Sequence, residues 1–262
     1  MSEPGNAVQL LSERAYFSPD AVDSYNRYDL TRTEATVLLK YQPFFADKDV
    51  LDIGIGAGRT TVYLAPLAKS YVGVDFSQPL IDFVKKTMPR VRAELGDMRD
   101  LSAYDSEAFD FVMGSFNVID YVVHEDRIKT LSEVNRVLRP GGLFVFSSHN
   151  RSYEQAGRGP KLEVSKDPTR QLRMIFRWCR RMANHARIKK HRVFNDDYAI
   201  LNDVACDFAL LHYHIDHPAQ RRQLERNNFA VLEVYDIVGN SLDPAAVDTK
   251  SPYLMYVANK PN

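Results

Sequence analysis

The sequence predicts an α/β fold in which a mostly parallel β-sheet carries helices on both faces. Between residues 50 and 150, short apolar runs alternate with amphipathic stretches, as in a parallel sheet wrapped by helices. Gly54, Gly56 and Gly58 separate the first apolar run from a helical pattern, which is typical of a strand, a tight turn and a helix. A second apolar run ends in Asp75. These observations predict a ligand site at the carboxyl ends of the strands.

The glycine turn predicts a nucleotide-like ligand. Glycine has no Cβ, so the backbone can take positive φ and let a ligand approach the N–H groups of the helix start. The dinucleotide pattern requires G-x-G-x-x-G. Here Arg59 occupies the position of its last glycine, which weakens a nicotinamide interpretation. Asp75 is placed to accept hydrogen bonds from ribose hydroxyls.

Five segments, in chain order, resemble the class I S-adenosylmethionine-dependent methyltransferases. The first is the run from Asp52 to Gly58, and the second is the acid-tipped strand that ends at Asp75. The others are Gly96-Asp97-Met98, Phe109-Asp110-Phe111-Val112 and Leu138-Arg139-Pro140-Gly141-Gly142. The resemblance covers residues 50–150 and implies S-adenosylmethionine as the cofactor.

The resemblance implies a Rossmann-like, seven-stranded, mostly parallel sheet whose last strand is antiparallel. It places an amino-terminal helical lid before the core and an insertion after strand five. We expect a single methyltransferase domain over residues 1–262. Its parts are a lid (1–43), a cofactor-binding core (44–150), an insertion that caps the substrate (151–215) and a carboxy-terminal helix with a strand pair (216–262).

The amino-terminal segment predicts a helix that starts near Ser18-Pro19-Asp20 and continues toward Tyr41. Its aromatic residues either pack the helix onto the sheet or cover the cofactor and acceptor, as the family's amino-terminal segment does. A lid matters because excluding water strengthens electrostatic interactions around the reacting atoms. The candidates are Tyr25 and Arg32 for the cofactor and Tyr16 and Tyr28 for the acceptor, and Phe17 is a further candidate for covering either of them.

Further elements follow from breakers and periodicity. One helix is expected from Ser77 through Val84, and another from Ile128 to Val137. Pro140-Gly141-Gly142 stops the second helix, and Leu143–Asn150 reads as strand five. The carboxy-terminal part predicts a strand over 206–215, a helix from Pro218 and two final strands, 230–238 and 253–258, that form an antiparallel hairpin in the family.

The cofactor-binding candidates come from the motif segments. In the family, the acid of the Gly-Asp-Met position contacts the adenine amino group, and the next residue's backbone reads the ring edge. Asp97 and Met98 match these positions. The full set from the core is Asp52, Gly54, Ile55, Gly56, Gly58, Arg59, Asp75, Phe76, Gly96, Asp97, Met98 and Ser115.

The acceptor is expected beyond strands four and five, because ligands of open α/β sheets lie at the carboxyl ends of the strands. A hydroxyl acceptor must lose its proton, and His149, at a strand end, is the best candidate base. His212, His214 and Tyr153 are its rivals. The substrate-binding candidates are Tyr16, Tyr28, Phe116, Asn117, Tyr121, Asn150, Tyr153, His212 and His214.

The insertion contains a basic stretch, residues 166–192, with one acid, Asp167. Ile175, Trp178, Cys179 and Met182 fall on one helical stripe. The stretch is either an amphipathic helix docked by that stripe or a site for an anionic part of the substrate. An RNA patch is less favoured, because no aromatic platform accompanies the charge.

His212 and His214 share one face of a strand, and His217 follows them. No metal site is expected there, because no carboxylate or cysteine partner stands at a suitable spacing.

The composition argues against several classes of protein. The chain has 262 residues with 34 basic and 34 acidic side chains, so a general nucleic-acid binder is not expected. Its two cysteines are too few for a disulfide framework. The sequence shows neither a signal peptide nor a long apolar run, so we expect a cytoplasmic protein without membrane contact. We expect it to be a monomer or a homodimer.

The leading hypothesis is methyl transfer from S-adenosylmethionine to an oxygen or nitrogen of a small molecule, such as an anionic sugar or a secondary metabolite. The alternatives are an RNA-modifying methyltransferase that uses the basic segment 166–192, a nicotinamide-dependent oxidoreductase, and a cofactor-binding protein without catalysis.

Overall fold

A computed structural model describes Val8, Leu11 and residues 29–262. The α-helices in this part are α1 (Arg32–Lys40), α2 (Thr61–Leu64), α3 (Gln78–Thr87), α4 (His124–Val137), α5 (Pro168–Ile188) and α6 (His217–Arg226). The strands are β1 (Asp49–Ile53), β2 (Ser70–Asp75), β3 (Arg92–Leu95), β4 (Phe109–Gly114), β5 (Leu138–Asn150), β6 (Val193–Phe194), β7 (Tyr198–Leu201), β8 (His212–Ile215), β9 (Ala230–Tyr235) and β10 (Tyr253–Asn259).

The central sheet has the order β3-β2-β1-β4-β5, and all of these neighbours are parallel. β10 pairs antiparallel with both β5 and β9. These seven strands confirm the predicted Rossmann-like sheet with its antiparallel last strand. The carboxyl ends of the parallel strands lie along one edge, where the site is expected.

The long strand β5 carries a second set of partners. Its last two residues pair in parallel with β8, which continues antiparallel to β7 and then β6. The insertion therefore extends the sheet at the end of β5. This brings His214 opposite His149 in the strand register.

Apolar side chains alternate along the central strands and fill both faces of the sheet. Leu51 of β1 and Phe144 of β5 face helices α4 and α6 in one cluster. Val50 and Val145, one position away on the same strands, face α1 and α2 in the other cluster. The period of two explains why neighbouring residues enter opposite cores. Two packed layers hold the strand ends in fixed positions.

Several element boundaries differ from the prediction. The strand predicted over 206–215 is limited to His212–Ile215, because Ala205–Phe208 form a 3-10 helix, and the strand predicted over 230–238 ends at Tyr235. Helix α3 continues to Thr87, and α4 begins at His124 rather than Ile128. Strand β5 starts at Leu138, because Leu138 pairs with Phe109 of β4 before an irregularity in the register. The glycines after Pro140 therefore lie within the strand pairing and not in a separate loop.

The docking stripe predicted for α5 is wrong. Ile175, Cys179 and Met182 are exposed, and of the predicted stripe only Trp178 is half-buried. The inward face contains residues 171, 174, 178, 181, 185 and 188. Arg181 and Asn184 on this side bind Asp207 of the loop before β8. These polar contacts orient the helix, so its apolar residues do not determine which face docks.

Across the described residues, no helix combines the length and the apolarity that a membrane crossing requires.

Candidate functional site

The glycine turn after β1 adopts the conformation that its sequence demands. Gly54, Gly56 and Gly58 have φ values of 67°, 55° and 87°, in the left-handed region that favours glycine. A Cβ on Gly54 would stand 2.0 Å from Cγ2 of Val118, whereas a Cβ on Gly56 would meet nothing within 4 Å. The backbone at Gly56 therefore faces open space, as a ligand cradle requires.

Asp75 at the end of β2 supports this turn. Its Oδ2 accepts a hydrogen bond of 2.8 Å from the N–H of Gly56, and its Oδ1 accepts one of 2.9 Å from the N–H of Ser77. Burial raises the pKa of the carboxyl, while the backbone donors lower it. Each carboxylate oxygen has a second lone pair, so Asp75 can hold the turn and still accept from a ribose hydroxyl.

Asp52 lies buried beneath the turn with one oxygen to spare. Its Oδ2 accepts from the hydroxyls of Thr60 at 2.7 Å and Tyr71 at 2.9 Å. Its Oδ1 is buried and has no hydrogen-bond partner among the described residues. Burial raises the pKa of Asp52 to about 7, although the two hydroxyls lower it. A buried acceptor without a donor is costly unless a ligand supplies one.

Arg59 is bound by helix α1. Its guanidinium donates to both carboxylate oxygens of Glu34, at 2.6 and 2.5 Å, and to Oγ of Ser115 at 2.7 Å. Ser115 also donates to Glu34. Burial alone would raise the pKa of the Glu34 carboxyl. Arg59 and the other donors outweigh burial, so the pKa lies below its usual value. The amino-terminal helix is thereby fixed to the turn.

The end of β3 lies beside β2, and Gly96 donates to the carbonyl of Asp75 at 3.0 Å. Asp97 accepts from the guanidinium of Arg99 at 2.6 Å, and the same guanidinium contacts Asp126 at 2.7 Å. Met98 packs against the main core. The structure thus places Asp97 near the turn with its carboxylate in an ion pair.

A small apolar cluster borders the glycine turn. Phe76 and Tyr121 pack against the buried Ala57 and Leu80. Tyr121 also meets the ring of His212 edge-on, with 4.9 Å between the ring centroids. Tyr121 therefore connects the cofactor turn to the histidines of the insertion.

The loop after β4 turns sharply at Phe116 and Asn117, which both have positive φ. The Asn117 N–H donates to Oγ of Ser147 at 2.7 Å, which holds the loop against β5. The Asn117 amide nitrogen lies 3.4 Å from Nε2 of His149. The ring of the exposed Phe116 lies over the guanidinium of Arg59 at 4.9 Å.

His149 is oriented by Asp120. Oδ2 of Asp120 lies 2.6 Å from the His149 backbone nitrogen and 2.7 Å from Nδ1 of its ring. A carboxylate accepts and does not donate, so Nδ1 carries the proton and Nε2 is left bare in the neutral ring. Burial lowers the pKa of His149 and Asp120 raises it. Burial is the larger effect, so the pKa lies below its usual value.

Arg127 of α4 compensates the charge of Asp120. The two side chains form an ion pair, and neither is exposed to solvent. The guanidinium also donates to Ser148, Gln220, Gln223 and the carbonyl of Ile119. Burial alone would raise the pKa of Asp120. Arg127 and His149 outweigh burial, so the pKa lies below its usual value. Every donor direction of Arg127 is thus directed to a protein acceptor.

Asp203, in the loop between β7 and β8, faces three histidines. Its Oδ1 lies 3.3 Å from Nδ1 of His212, and its Oδ2 lies 3.3 Å from Nε2 of His214 and 3.9 Å from Nε2 of His149. Burial raises the pKa of Asp203, but the histidines hold it well below its usual value. His217 lies apart, with Nε2 3.1 Å from the carbonyl of Pro244.

Comparison with known proteins identifies the core. Residues 50–142 match the family model described as a methyltransferase domain. This range begins with β1 and includes the glycine turn, Asp75 and the Gly-Asp-Met segment. Residues 50–142 are therefore similar to the methyltransferase domain family. The resemblance to the class I S-adenosylmethionine-dependent enzymes is confirmed.

Curated relatives of the methyltransferase domain support the same cofactor. A probable S-adenosylmethionine-dependent methyltransferase of Mycolicibacterium smegmatis is 34% identical over 117 residues, which are 45% of this chain and 44% of that protein. The cypemycin N-terminal methyltransferase of a Streptomyces species is 30% identical over 154 residues, 56% of this chain and 62% of that protein. The chain spans about half the length of the curated relatives it matches.

Solved structures share the fold of the methyltransferase domain. An S-adenosylmethionine-dependent methyltransferase from Clostridium acetobutylicum has a TM-score of 0.62 at 15% identity and covers 97% of this chain and all of that one. The 1,6-didemethyltoxoflavin-N1-methyltransferase of Burkholderia thailandensis, with its substrate and S-adenosylhomocysteine bound, has a TM-score of 0.62 at 15% identity and covers 100% and 92% of the two chains. The fold therefore extends beyond residues 50–142.

Within the methyltransferase domain, many predicted residues meet at the strand ends, but others do not. Arg32 is exposed at the start of α1, and no contact among the described residues brings it to the turn. Asn150 is buried, and its amide donates to the carbonyls of Asp248 and Ser251 instead of facing a ligand. Tyr153 is half-buried in a turn after β5. Tyr16, Phe17, Tyr25 and Tyr28, together with the predicted helix start at residues 18–20, lie outside the described residues.

Three site carboxylates of the methyltransferase domain were not predicted. For Glu34 the sequence does contain a signal, because Thr31-x-x-Glu34 is a capping-box pattern. Both hydrogen bonds of the capping box form in the structure. For Asp120 and Asp203 the sequence contains no such signal, since each lies in a loop and reaches its histidine partner only through the sheet. The structure supplies in Asp203 the carboxylate that the histidine pattern of β8 lacked.

Proposed function

We propose that this chain binds S-adenosylmethionine at the glycine turn and transfers its methyl group to an oxygen or nitrogen of a small molecule. The observation that carries the proposal is the pairing of an open backbone at Gly56 with the partnerless, buried Oδ1 of Asp52. A ligand with a positive group and a ribose fits these two features. S-adenosylmethionine has both, and it is the cofactor named for several relatives.

The residues of the turn would hold the cofactor in distinct ways. Asp52 would accept from its ammonium group, and Asp75 from its ribose hydroxyls. Phe76 and Tyr121 offer apolar faces to the adenine. For Asp97, the ion pair with Arg99 means that a contact with the adenine amino group would use the carboxylate's remaining lone pairs. We retain Asp97 and Met98 as cofactor residues on this basis.

When bound, the cofactor supplies a methyl group that is already activated by the positive charge of its sulfur. The chain then has to hold the acceptor in line and exclude water. The link between Glu34 and Arg59 fixes α1 over the turn, which supports the lid function proposed for the amino-terminal segment.

The acceptor is proposed to lie between the loop after β4 and the histidines of β5 and β8. Asn117, Tyr121 and His149 line this region. The bare Nε2 of His149, whose Nδ1 is held by Asp120, suits either a proton acceptor or a metal ligand. Of the predicted substrate residues, Asn150 is the least suited, because its amide is engaged by the 248–251 loop.

For the acceptor class we propose an anionic sugar or a secondary metabolite. Two of the proteins named above have different acceptors in their names: one is a cypemycin N-terminal methyltransferase, and the Burkholderia structure holds 1,6-didemethyltoxoflavin. The insertion supports an anionic acceptor, because Arg173 and Arg177 are exposed on α5 and that helix contacts the loop containing Asp203 through Arg181 and Asp207.

The test is to supply S-adenosylmethionine carrying a trideuterated methyl group to the purified chain together with an extract of the source organism. The extract is separated into small-molecule, RNA and protein fractions, and each is analysed by mass spectrometry. We expect the label in a small molecule, and no label with the Asp52→Asn variant. Label in the RNA fraction alone would contradict the proposal and favour an RNA-modifying enzyme.

A further inference from the structure

Three imidazole rings and one carboxylate converge at the carboxyl end of β5. The rings of His149 and His212 stack with 4.9 Å between their centroids, and those of His149 and His214 lie equally close. Asp203 faces all three rings. All four groups are largely buried, with His212 completely so. The group lies in the interior of the fold, whereas a solvated surface cluster would face water.

The hydrogen bonds of two rings fix where their protons lie. Nδ1 of His149 faces the carboxylate of Asp120, and Nδ1 of His214 lies 3.0 Å from the carbonyl of His212. Carboxylates and carbonyls only accept, so both Nδ1 atoms carry the hydrogen. In the neutral rings, both Nε2 lone pairs then point at Oδ2 of Asp203. An acceptor that faces another acceptor requires a cation between them, which is either a proton on the ring or a metal ion.

The spacing of these atoms fits a metal better than a direct hydrogen bond. Charge-assisted N–H···O bonds are about 2.7–2.9 Å long. Ligands placed about 2.0–2.2 Å from a zinc ion stand roughly 3–3.5 Å from one another. Asp203 lies 3.3 Å from His212 and 3.3 Å from His214. One ligand atom from each of His149, Asp203 and His212 lies within 4.8 Å of the other two.

Two further observations point to a ligand. Both ring nitrogens of the buried His212 lack a hydrogen-bond partner among the described residues. Asp120 orients His149 through Nδ1, which is the arrangement of carboxylates behind metal-binding histidines. Arg127 pairs with Asp120, whereas the carboxylate of Asp203 faces the three rings.

We propose that His149, His212 and Asp203 bind a divalent first-row metal ion such as Zn²⁺, with His214 as a fourth nitrogen at the same carboxylate. Imidazole and carboxylate are the ligand types that such ions favour. The site lies next to the cofactor turn, since Asn117 contacts His149 and the following Val118 packs against Gly54.

The position of the metal deepens the proposed function and rests on it. A metal held there would bind the hydroxyl oxygen of the acceptor and lower its pKa, so that the proton leaves to solvent. The oxygen would then form a bond to the methyl carbon as the carbon–sulfur bond of the cofactor breaks, and S-adenosylhomocysteine would leave. The inference therefore favours acceptors with a hydroxyl over those with only nitrogen. Nε2 of His149 then serves as a metal ligand, and the metal assists the proton loss for which His149 was predicted.

The test is a titration of the chelator-treated full-length chain with Co²⁺, followed by visible absorption and calorimetry. We expect one equivalent to bind and to give the absorption bands of a cobalt ion with nitrogen ligands. Zn²⁺ is expected to displace it. Asp203→Asn and His212→Gln are expected to weaken Co²⁺ binding by at least about 100-fold, because each removes a ligand.

The matched control is His217→Gln, since His217 is a buried histidine of the same segment that faces the Pro244 carbonyl and the ring of Tyr256 instead of Asp203. It is expected to bind Co²⁺ like the wild type. A cooperative thermal unfolding transition shows that each variant is folded, and S-adenosylhomocysteine binding is measured on the same samples. If folded wild-type protein binds no Co²⁺, or if Asp203→Asn leaves its affinity unchanged, the metal site is refuted. Metal binding without S-adenosylhomocysteine binding would refute the proposed function and leave the metal site standing.

Discussion

Arg59 of the glycine turn and Glu34 of helix α1 form a two-point ion pair, with distances of 2.6 Å from Nη1 to Oε2 and 2.5 Å from Nη2 to Oε1. Arg59 occupies the position where a dinucleotide-binding turn has its last glycine. The same residue that weakens the nicotinamide interpretation therefore attaches the amino-terminal helix to the cofactor turn.

This pair is expected to contribute strongly to stability because both side chains are largely buried. Glu34→Gln and Arg59→Met should each lower the free energy of unfolding by about 3–5 kcal/mol, since each leaves a buried charge without its partner. The double variant should cost less than the sum, with a coupling of about 1–3 kcal/mol. Urea unfolding of the four proteins measures this.

The control for the ion pair is Lys40→Met, which removes an exposed partner of Glu233 at the end of the same helix. Its cost is expected to be about 0–1 kcal/mol. An equal loss in Lys40→Met and Glu34→Gln, or strict additivity in the double variant, would contradict the assigned role of Arg59.

Gly54 and Gly56 provide a matched pair of substitutions. Both have positive φ, so an alanine at either position is expected to cost about 1–2 kcal/mol in strain. Gly54→Ala should cost more, because its Cβ would stand 2.0 Å from Val118. Gly56→Ala should remain folded but lose cofactor affinity, because its Cβ enters the open space of the turn.

Thermal unfolding and calorimetric titration with S-adenosylhomocysteine separate the two effects. Val118→Ala is expected to restore part of the stability of Gly54→Ala, since it removes the clashing methyl groups. It should have no such effect on Gly56→Ala. Undiminished S-adenosylhomocysteine affinity in folded Gly56→Ala would indicate that the ligand does not approach this backbone.

The buried Asp52 predicts a pH dependence of stability. Its pKa is raised from 3.8 to about 7 in the folded chain, so folding takes up a proton between these values. The free energy of unfolding therefore falls as the pH rises from about 4 to about 7, by up to about 1.4 kcal/mol per pH unit. Asp52→Asn keeps an acceptor for Thr60 and Tyr71 and should remove this slope.

The measurement is urea unfolding of cofactor-free protein at pH 4.5 and 7.5. Relative to wild type, Asp52→Asn should gain stability at the higher pH. Asp49→Asn is the control, because hydrogen bonds from Ser70 and Arg139 outweigh burial and lower the pKa of Asp49. Its titration therefore lies below this pH range, and the variant should keep the slope of the wild type. A slope that is unchanged in Asp52→Asn would show that its carboxyl is ionised throughout.

The sequence could predict those parts of the fold that depend on residues close together along the chain. Gly54, Gly56 and Gly58 have positive φ because the turn requires it, and the alternation of Val50 and Leu51 assigns them to opposite faces. The face of α5 was not predictable from its apolar residues, since Arg181 and Asn184 orient it by binding Asp207, 26 and 23 positions away in sequence.

The candidate site was predictable only where one element supplies it. The cofactor turn is a single continuous segment, so spacing revealed it. The histidine group needs Asp120, His149 and Asp203, which come from three different loops and strand ends. Their proximity depends on the pairing of β5 with β8, which places His149 opposite His214. No spacing along the chain contains that information.

Arg127 is expected to be one of the most sensitive positions in the domain. Arg127→Met would leave Asp120 buried and charged, and should lower the free energy of unfolding by about 3–5 kcal/mol. Arg139→Met, which removes a partly exposed partner of Asp49 and Asp110, should cost no more than about 1 kcal/mol. Urea unfolding checks both. Equal costs would show that the Asp120–Arg127 pair does not carry the stability assigned to it.

The most direct measurement of the central claim is calorimetric titration of the wild-type chain with S-adenosylhomocysteine and, separately, with NADH. One equivalent of S-adenosylhomocysteine is expected to bind, with sharply lower affinity in Gly56→Ala, and NADH is expected to give no heat of binding. Binding of NADH in place of S-adenosylhomocysteine, or of neither compound by folded protein, would contradict the central claim.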